Sequence, residues 1–496
     1  MMTIVNHMPR FCLVPFAALL LAAAPVEAPR FESQLAAAAA LVDANKTSDA
    51  LVILDAMRTV TELPLERGQI DGLRSFALAR ANRLPEARQA IEASIASSAS
   101  PSLLLLRQLF LLRAFDGDSK GAGDALLLIA ATDPKGLNTL PMEMVNAVVR
   151  AAQGDGNRGF DLDYALVTAG WAPPEATVAH LDWARLRLIT GLVAGDRSDE
   201  ARTVLAGILN PVVLVRLGVD RRFVALWPEI ERRLGPGADI ADAAYVGAAK
   251  ARFDTRPDSL IARMGYAEAL NIASREPEAT RLLDVVKTPE ELARLTDSEI
   301  WLVNLHAQLL GDASNVDAAL GRLAALNATP PNGRPNMIAT IVSEVMLAQH
   351  LGRSEQTLTL ADAARAKLPE KGDTAQLYLA QARACALADL GRKDEAATAA
   401  AALVAAPAAN DGAYLATMIC LGRNDAAAAA IIRRLADPAE RTGMLFDLQP
   451  FLINDRPGVM DARGRAGLRA LKARADVKAA YLKAGRDLPA AVAPPR

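Results

Sequence analysis

Small and apolar residues recur along most of the chain three and four positions apart, the spacing of one helical face, and each such stretch stops at a short polar or glycine-containing turn. Turns of this kind fall near Asn45, Asn82, Gly117, Gly195, Ser274, Gly311, Gly352, Gly391 and Gly422. Most are about 31 to 41 residues apart and two gaps are near 80, with further candidate turns inside the long gaps at Gly154-Asp155-Gly156 and Gly235-Pro236-Gly237. A period of this size holds two helices of about a dozen residues each plus their turns, so the pattern predicts a succession of antiparallel helix hairpins. No stretch has the length and alternation of a strand.

The segment from Leu377 to Asn410 shows the unit most clearly. Ala384, Leu387 and Ala388 form one face of a first helix, and Gly391 ends it by taking the left-handed conformation that follows a helix C-terminus. The second helix starts at Lys393-Asp394-Glu395-Ala396, where acidic residues suit the positive end of the helix dipole. Ala396, Ala400 and Leu403 continue at helical spacing until Pro407 interrupts. Helix starts elsewhere agree: Thr288-Pro289-Glu290-Glu291 and Thr296-Asp297-Ser298-Glu299 have capping-box form, and Asp437-Pro438-Ala439-Glu440 has an Asp cap.

Ala384, Gly391, Ala396 and Pro407 match the tetratricopeptide-repeat pattern of about 34 residues. The preceding unit matches through Gly352, Ala361, Ala364 and Pro369 with Thr357 in place of the early Ala, and the following one through Gly422, Ala427 and Ile431. Weaker copies centre on Ala50, Ala87, Ala201, Ala279 and Ala318, and the aromatic positions of the family are mostly absent. The chain thus resembles tetratricopeptide-repeat-like α-solenoid proteins of bacterial exported type. The resemblance implies an all-α solenoid of antiparallel hairpins wound into a superhelix, with ligands held on the concave face by the first helix of each hairpin. Transferred to this register, that face presents Trp183, Glu268, Asn271, Gln349, His350, Tyr378 and Gln381 to a peptide or partner protein.

Composition supports helices: 52% of the residues are apolar but only 4% are aromatic, with Ala and Leu dominant. The formal charge of −2 offers no basic surface for nucleic acid. Cys385 and Cys420 stand one repeat apart, which permits a bridge in an oxidising compartment, although two small buried thiols are the plainer reading. Arg10, the apolar run from Phe11 to Ala24 and the small residues through Ala28 form a secretory leader over 1–28, with Met8 giving a tidier start than Met1. Pro25 and Pro29 crowd the cleavage positions, so an uncleaved anchor is the alternative, and it is the only membrane attachment expected. A periplasmic or otherwise exported location in the cell envelope follows. Degenerate repeats are expected over 31–153, an irregular connection over 154–178, regular repeats over 179–440, capping helices over 441–487 and a disordered tail over 488–496.

No catalytic, metal or cofactor motif emerges. The glycine cluster from Gly117 to Gly123 has the wrong residue order for a phosphate loop. Asp155, Asn157, Asp161 and Asp163 lack the Gly and Glu of a calcium loop, since Phe160 and Leu166 stand there. The expected function is therefore a non-enzymatic exported scaffold binding a protein or peptide, with an enzyme or binder acting on cell-envelope glycan or peptidoglycan as the alternative.

Overall fold

The computed structural model describes residues 28–331, 333–368, 374–453 and 461–495. The leader lies outside them up to residue 27. Among the described residues all regular structure is helical, and the only extended pairing is one isolated bridge between Asp220 and Gly485. The architecture is the expected α-solenoid of antiparallel hairpins, divided into two compact units that meet at Ala176 and Thr177.

The first unit contains α1 (Ala28–Asp43), α2 (Thr47–Val60), α3 (Pro64–Arg80), α4 (Leu84–Ala96), α5 (Leu103–Phe115), α6 (Ser119–Thr132), α7 (Met142–Ala152) and α8 (Gly156–Thr168), each packed on its successor. Helix α8 corrects the irregular connection expected over 154–178. Leu162 and Leu166, one turn apart, are buried, while Asn157 and Asp161 are on the solvent side of an amphipathic helix; Asp163, beside Leu162, is buried. Beyond it Trp171 is buried and donates its indole N–H to the Leu137 carbonyl at 3.2 Å.

The second unit begins with α9 (Asp182–Ala194), α10 (Ser198–Leu205), α11 (Pro211–Val219), α12 (Trp227–Leu234), α13 (Asp239–Thr255), α14 (Leu260–Ile272), α15 (Glu276–Leu283) and α16 (Pro289–Arg294). The hairpins α17 (Ile300–Asp312) with α18 (Val316–Asn327), and α19 (Met337–His350) with α20 (Ser354–Arg365), follow. Next come α21 (Thr374–Asp389), its broken partner α22 (Lys393–Ala399) and α23 (Ala401–Ala405), then α24 (Asp411–Cys420) with α25 (Asn424–Ala436). The C-terminal helices are α26 (Arg441–Asp447), α27 (Pro450–Ile453), α28 (Ala462–Ala473) and α29 (Ala475–Ala484).

The turns repeat one chemical device. A residue with positive φ follows the first helix at Asn82, Asp196, Ser274, Gly352, Gly391 and Gly422. The next residue is Arg in every case, and its N–H reaches back five residues, as Arg392 does to the Leu387 carbonyl at 2.9 Å, satisfying a helix-end acceptor. At Arg83, Arg197, Arg275 and Arg392 the guanidinium also grips a Glu three positions on, at 2.5 to 2.7 Å. Those hydrogen bonds hold the four glutamates below the usual carboxylate range. One position further, Ala87, Ala201, Ala279 and Ala396 are fully buried where the two helices touch. In the hairpin α17–α18 the buried alanine is Ala319 rather than Ala318, a shift of one position.

Cys385 on α21 and Cys420 on α24 form a disulfide with their Cα atoms 5.2 Å apart, correcting the reading of two free thiols. Counted from the turns at Gly391 and Gly422, Cys420 stands one helical turn later on its helix than Cys385, and the packing of α21 on α24 brings the two sulfurs together.

The array of the second unit also closes on itself. Successive contacts run through α13, α14, α17, α19, α21, α24 and α25, and then α26 packs against α11. Helices α26 and α29 pack on the last hairpin, and the C-terminal segment also binds the opposite end of the array. Arg486 donates to the Gly218 carbonyl at 2.9 Å, pairs with Glu231 at 2.5 Å and lies 3.6 Å over the Trp227 ring. Arg222 donates to the Pro438 carbonyl at 3.0 Å. At Gly485 a Cβ would stand 2.2 Å from the Val219 carbonyl oxygen, so the close backbone approach that forms the bridge needs glycine. Over 488–495 the tail is packed on the array, where a disordered tail was expected: Leu488 is buried beside Gly218, and the Gly237 N–H donates to the Ala491 carbonyl at 2.9 Å.

Candidate partner-binding groove

Helices α17, α19 and α21 are first helices of three consecutive hairpins, and α19 packs against both of the others. Between them lies a groove of about 700 Å³. Its walls are Pro335, Ile338, Ala339, Val342, Met346 and Leu347, with Leu323 from α18 and Ala375 from α21. The small side chains at Ala339 and Ala375 keep it open. Its polar lining is uncharged apart from one imidazole: Asn304 and Gln308 from α17, Ser343 and His350 from α19, and Thr374 and Tyr378 from α21. Among the described residues no Asp, Glu, Lys or Arg lines it.

Asn304 is 8% exposed, and its Oδ1 has neither solvent contact nor a hydrogen-bond partner among the described residues. Nothing in the sequence singled out this residue, because one Asn in an apolar helix reads the same whether satisfied or not. Its signal is spacing: Asn304 and Gln308 put two carboxamides one turn apart on one face of α17. Nearby His306 points into the core instead, and burial pushes its imidazole down to about 4.

Of the seven residues expected on the concave face, the groove brings together His350 and Tyr378. Gln381, three positions after Tyr378, is 5% exposed and lies inside the packing. Gln349 faces a separate recess of about 360 Å³ beside Asp461 and Arg463, with its Oε1 unpartnered. Trp183 stands apart, its ring 5.0 Å from the Arg216 guanidinium, which also lies 5.0 Å from the Phe446 ring. That stack joins α9 and α11 to α26 and belongs to the closure. Asn271 is partly buried on α14. Glu268, also on α14, is partly buried, and desolvation raises its carboxyl.

A larger cleft of about 1210 Å³ separates α20, α21 and the broken α22–α23. It is floored by alanines, and Arg383 and Asp362 on its wall pair with each other. The smaller groove is the better candidate because it holds an unsatisfied polar group among apolar walls.

No family model matches the chain. No curated protein matches it in sequence either. Among solved structures, one described as Naa15/Naa10 bound to HypK-THB is similar at 15% identity, covering 92% of this chain and 75% of that one with a TM-score of 0.25. A likeness that loose assigns neither a site nor a partner, and the fold rests on the helices described above.

Proposed function

We propose that this chain is an exported interaction scaffold that holds a peptide or a segment of a partner protein in the groove of α17, α19 and α21. The observation carrying this reading is the groove itself: three successive first helices expose a mostly apolar recess with a few convergent polar groups, the usual build of a binding site. Export is supported by the leader pattern and by the Cys385–Cys420 disulfide, since such bridges persist in oxidising compartments. The described lining holds no carboxylate to support an acid–base pair for glycan cleavage.

Photo-crosslinking tests the reading. A photoreactive amino acid at Ala339 should give a discrete protein adduct in intact envelopes, and one at exposed Tyr164 in the first unit should not. Absence of adducts at Ala339, or identical adducts at both positions, contradicts it. Alkylation of intact cells before reduction should leave Cys385 and Cys420 unmodified; free labelling of both argues against an oxidising location.

A further inference from the structure

We infer that the groove takes an uncharged, extended peptide segment from within a chain, and that Asn304 holds its backbone. This rests on the scaffold reading and adds the chemistry of the occupant. The charge of the lining decides the first part. A charged side chain or a terminal carboxylate placed here would lose its water without meeting an opposite charge from the described lining, which holds no Lys, Arg, Asp or Glu. Apolar side chains, by contrast, meet Ile338, Val342 and Met346.

Asn304 decides the second part. Its Oδ1 makes no hydrogen bond with a described residue and is sealed from solvent. A buried acceptor left in that state is unfavourable, whereas the carboxamide can offer both an acceptor and donors once a partner arrives. The complementary group is a peptide unit, with one N–H and one C=O, and a half-turn about χ2 exchanges the ends of the side chain to suit either direction. A helical occupant has already spent its backbone groups internally, but an extended one has not. Gln308, one turn along α17 and exposed, provides a second carboxamide for the next peptide unit. Helix axes about 10 Å apart put α17 and α21 about 20 Å from each other. An extended segment of about six residues spans that distance.

The test uses the full chain and a phage-displayed library of random peptides, with synthetic copies of the enriched sequences measured by fluorescence anisotropy. The expected sequences have an apolar, uncharged core, and amidating their C-terminus leaves binding unchanged. Methylating one core backbone nitrogen should weaken binding about tenfold or more, and Asn304→Ala should weaken it similarly and remove sensitivity to that methyl group. Enriched sequences that are charged, that need a free C-terminal carboxylate or that ignore backbone methylation overturn the inference. Ala339→Trp, which fills the groove, separates the two levels. Peptides blocked by Ala339→Trp yet indifferent to Asn304→Ala leave the scaffold reading standing and sink the role of Asn304. Peptides that bind Ala339→Trp as well as wild type, or no enrichment at all, sink both. Thermal melts of both variants confirm that each is folded.

Discussion

Two buried carboxamides, Gln449 in the closing segment and Asn304 in the groove, face opposite circumstances. Gln449 is fully buried; its Nε2 lies 2.7 Å from the Tyr481 hydroxyl and 2.9 Å from the Leu445 carbonyl, and its Oε1 accepts the Leu488 N–H at 2.9 Å. It ties α26, α29 and the tail into one piece. Asn304, buried almost as deeply, leaves its Oδ1 without a partner among the described residues. Closure is not free of unpaired atoms, since Arg216 Nε and Trp227 Nε1 lack partners there, but both side chains take part in cation–ring stacking. The difference separates polar groups kept for folding from one that folding leaves unused. Loss of the first kind should cost stability, and loss of the second should cost binding.

The largest effect is expected at Asp182, next in sequence to the Trp183 of the closing stack. Asp182 is fully buried, and its carboxylate accepts the Leu209 and Asn210 N–H groups at 2.8 and 2.6 Å and pairs with Arg185 at 2.7 Å. Asp182→Ala should lower unfolding free energy in urea by about 3–5 kcal/mol, because Arg185 and two amides lose their partner. A loss under about 1 kcal/mol would put Asp182 in the same class as the groove. Next, Cys385→Ala with Cys420→Ala removes the link between α21 and α24 and should cost about 2–4 kcal/mol. Because no groove-lining residue changes, peptide affinity should hold; parallel loss of affinity would mean that the groove depends on the staple.

A smaller effect should follow pH. His306, on the core side of α17, has Asp284, Lys287 and Arg322 as charged neighbours, and desolvation brings it to about 4. The unfolded chain then binds the extra proton between about pH 6.5 and 4, so this residue makes the protein less stable as pH falls through that window. His306→Leu should flatten the fall in melting temperature over that range relative to wild type, and an unchanged slope would refute the assignment. The smallest effect belongs to the turns: Glu395 is solvent-exposed, and Glu395→Gln should leave the melting temperature within error.

Much of the arc was legible because each hairpin is a local event. A left-handed turn residue, an early Ala and a breaking Pro act within one repeat, so Gly352, Gly391 and Gly422 were placed from sequence and have positive φ. Closure was not legible. The Arg222–Pro438 and Arg486–Gly218 contacts join residues 216 and 268 positions apart, brought together by curvature accumulated over the whole array. The tail misled for a related reason: its prolines exclude helix, but the surface that receives Leu488 is assembled far away in sequence. In the groove, Tyr378 was found and Gln381 was misplaced because residues three apart share a helical face, and only the packing of neighbouring helices decides which of the two is covered. Asn304 passed unseen because satisfaction is a property of neighbours, not of residue type.

The most direct test replaces both carboxamides by the same apolar side chain and compares melting temperatures of the unliganded protein. Gln449→Leu should melt lower, since buried donors and acceptors lose their partners. Asn304→Leu should melt at the wild-type temperature or above it, since no hydrogen bond is lost. If Asn304→Leu falls as far as Gln449→Leu, Asn304 serves the fold and the contrast between the two regions collapses.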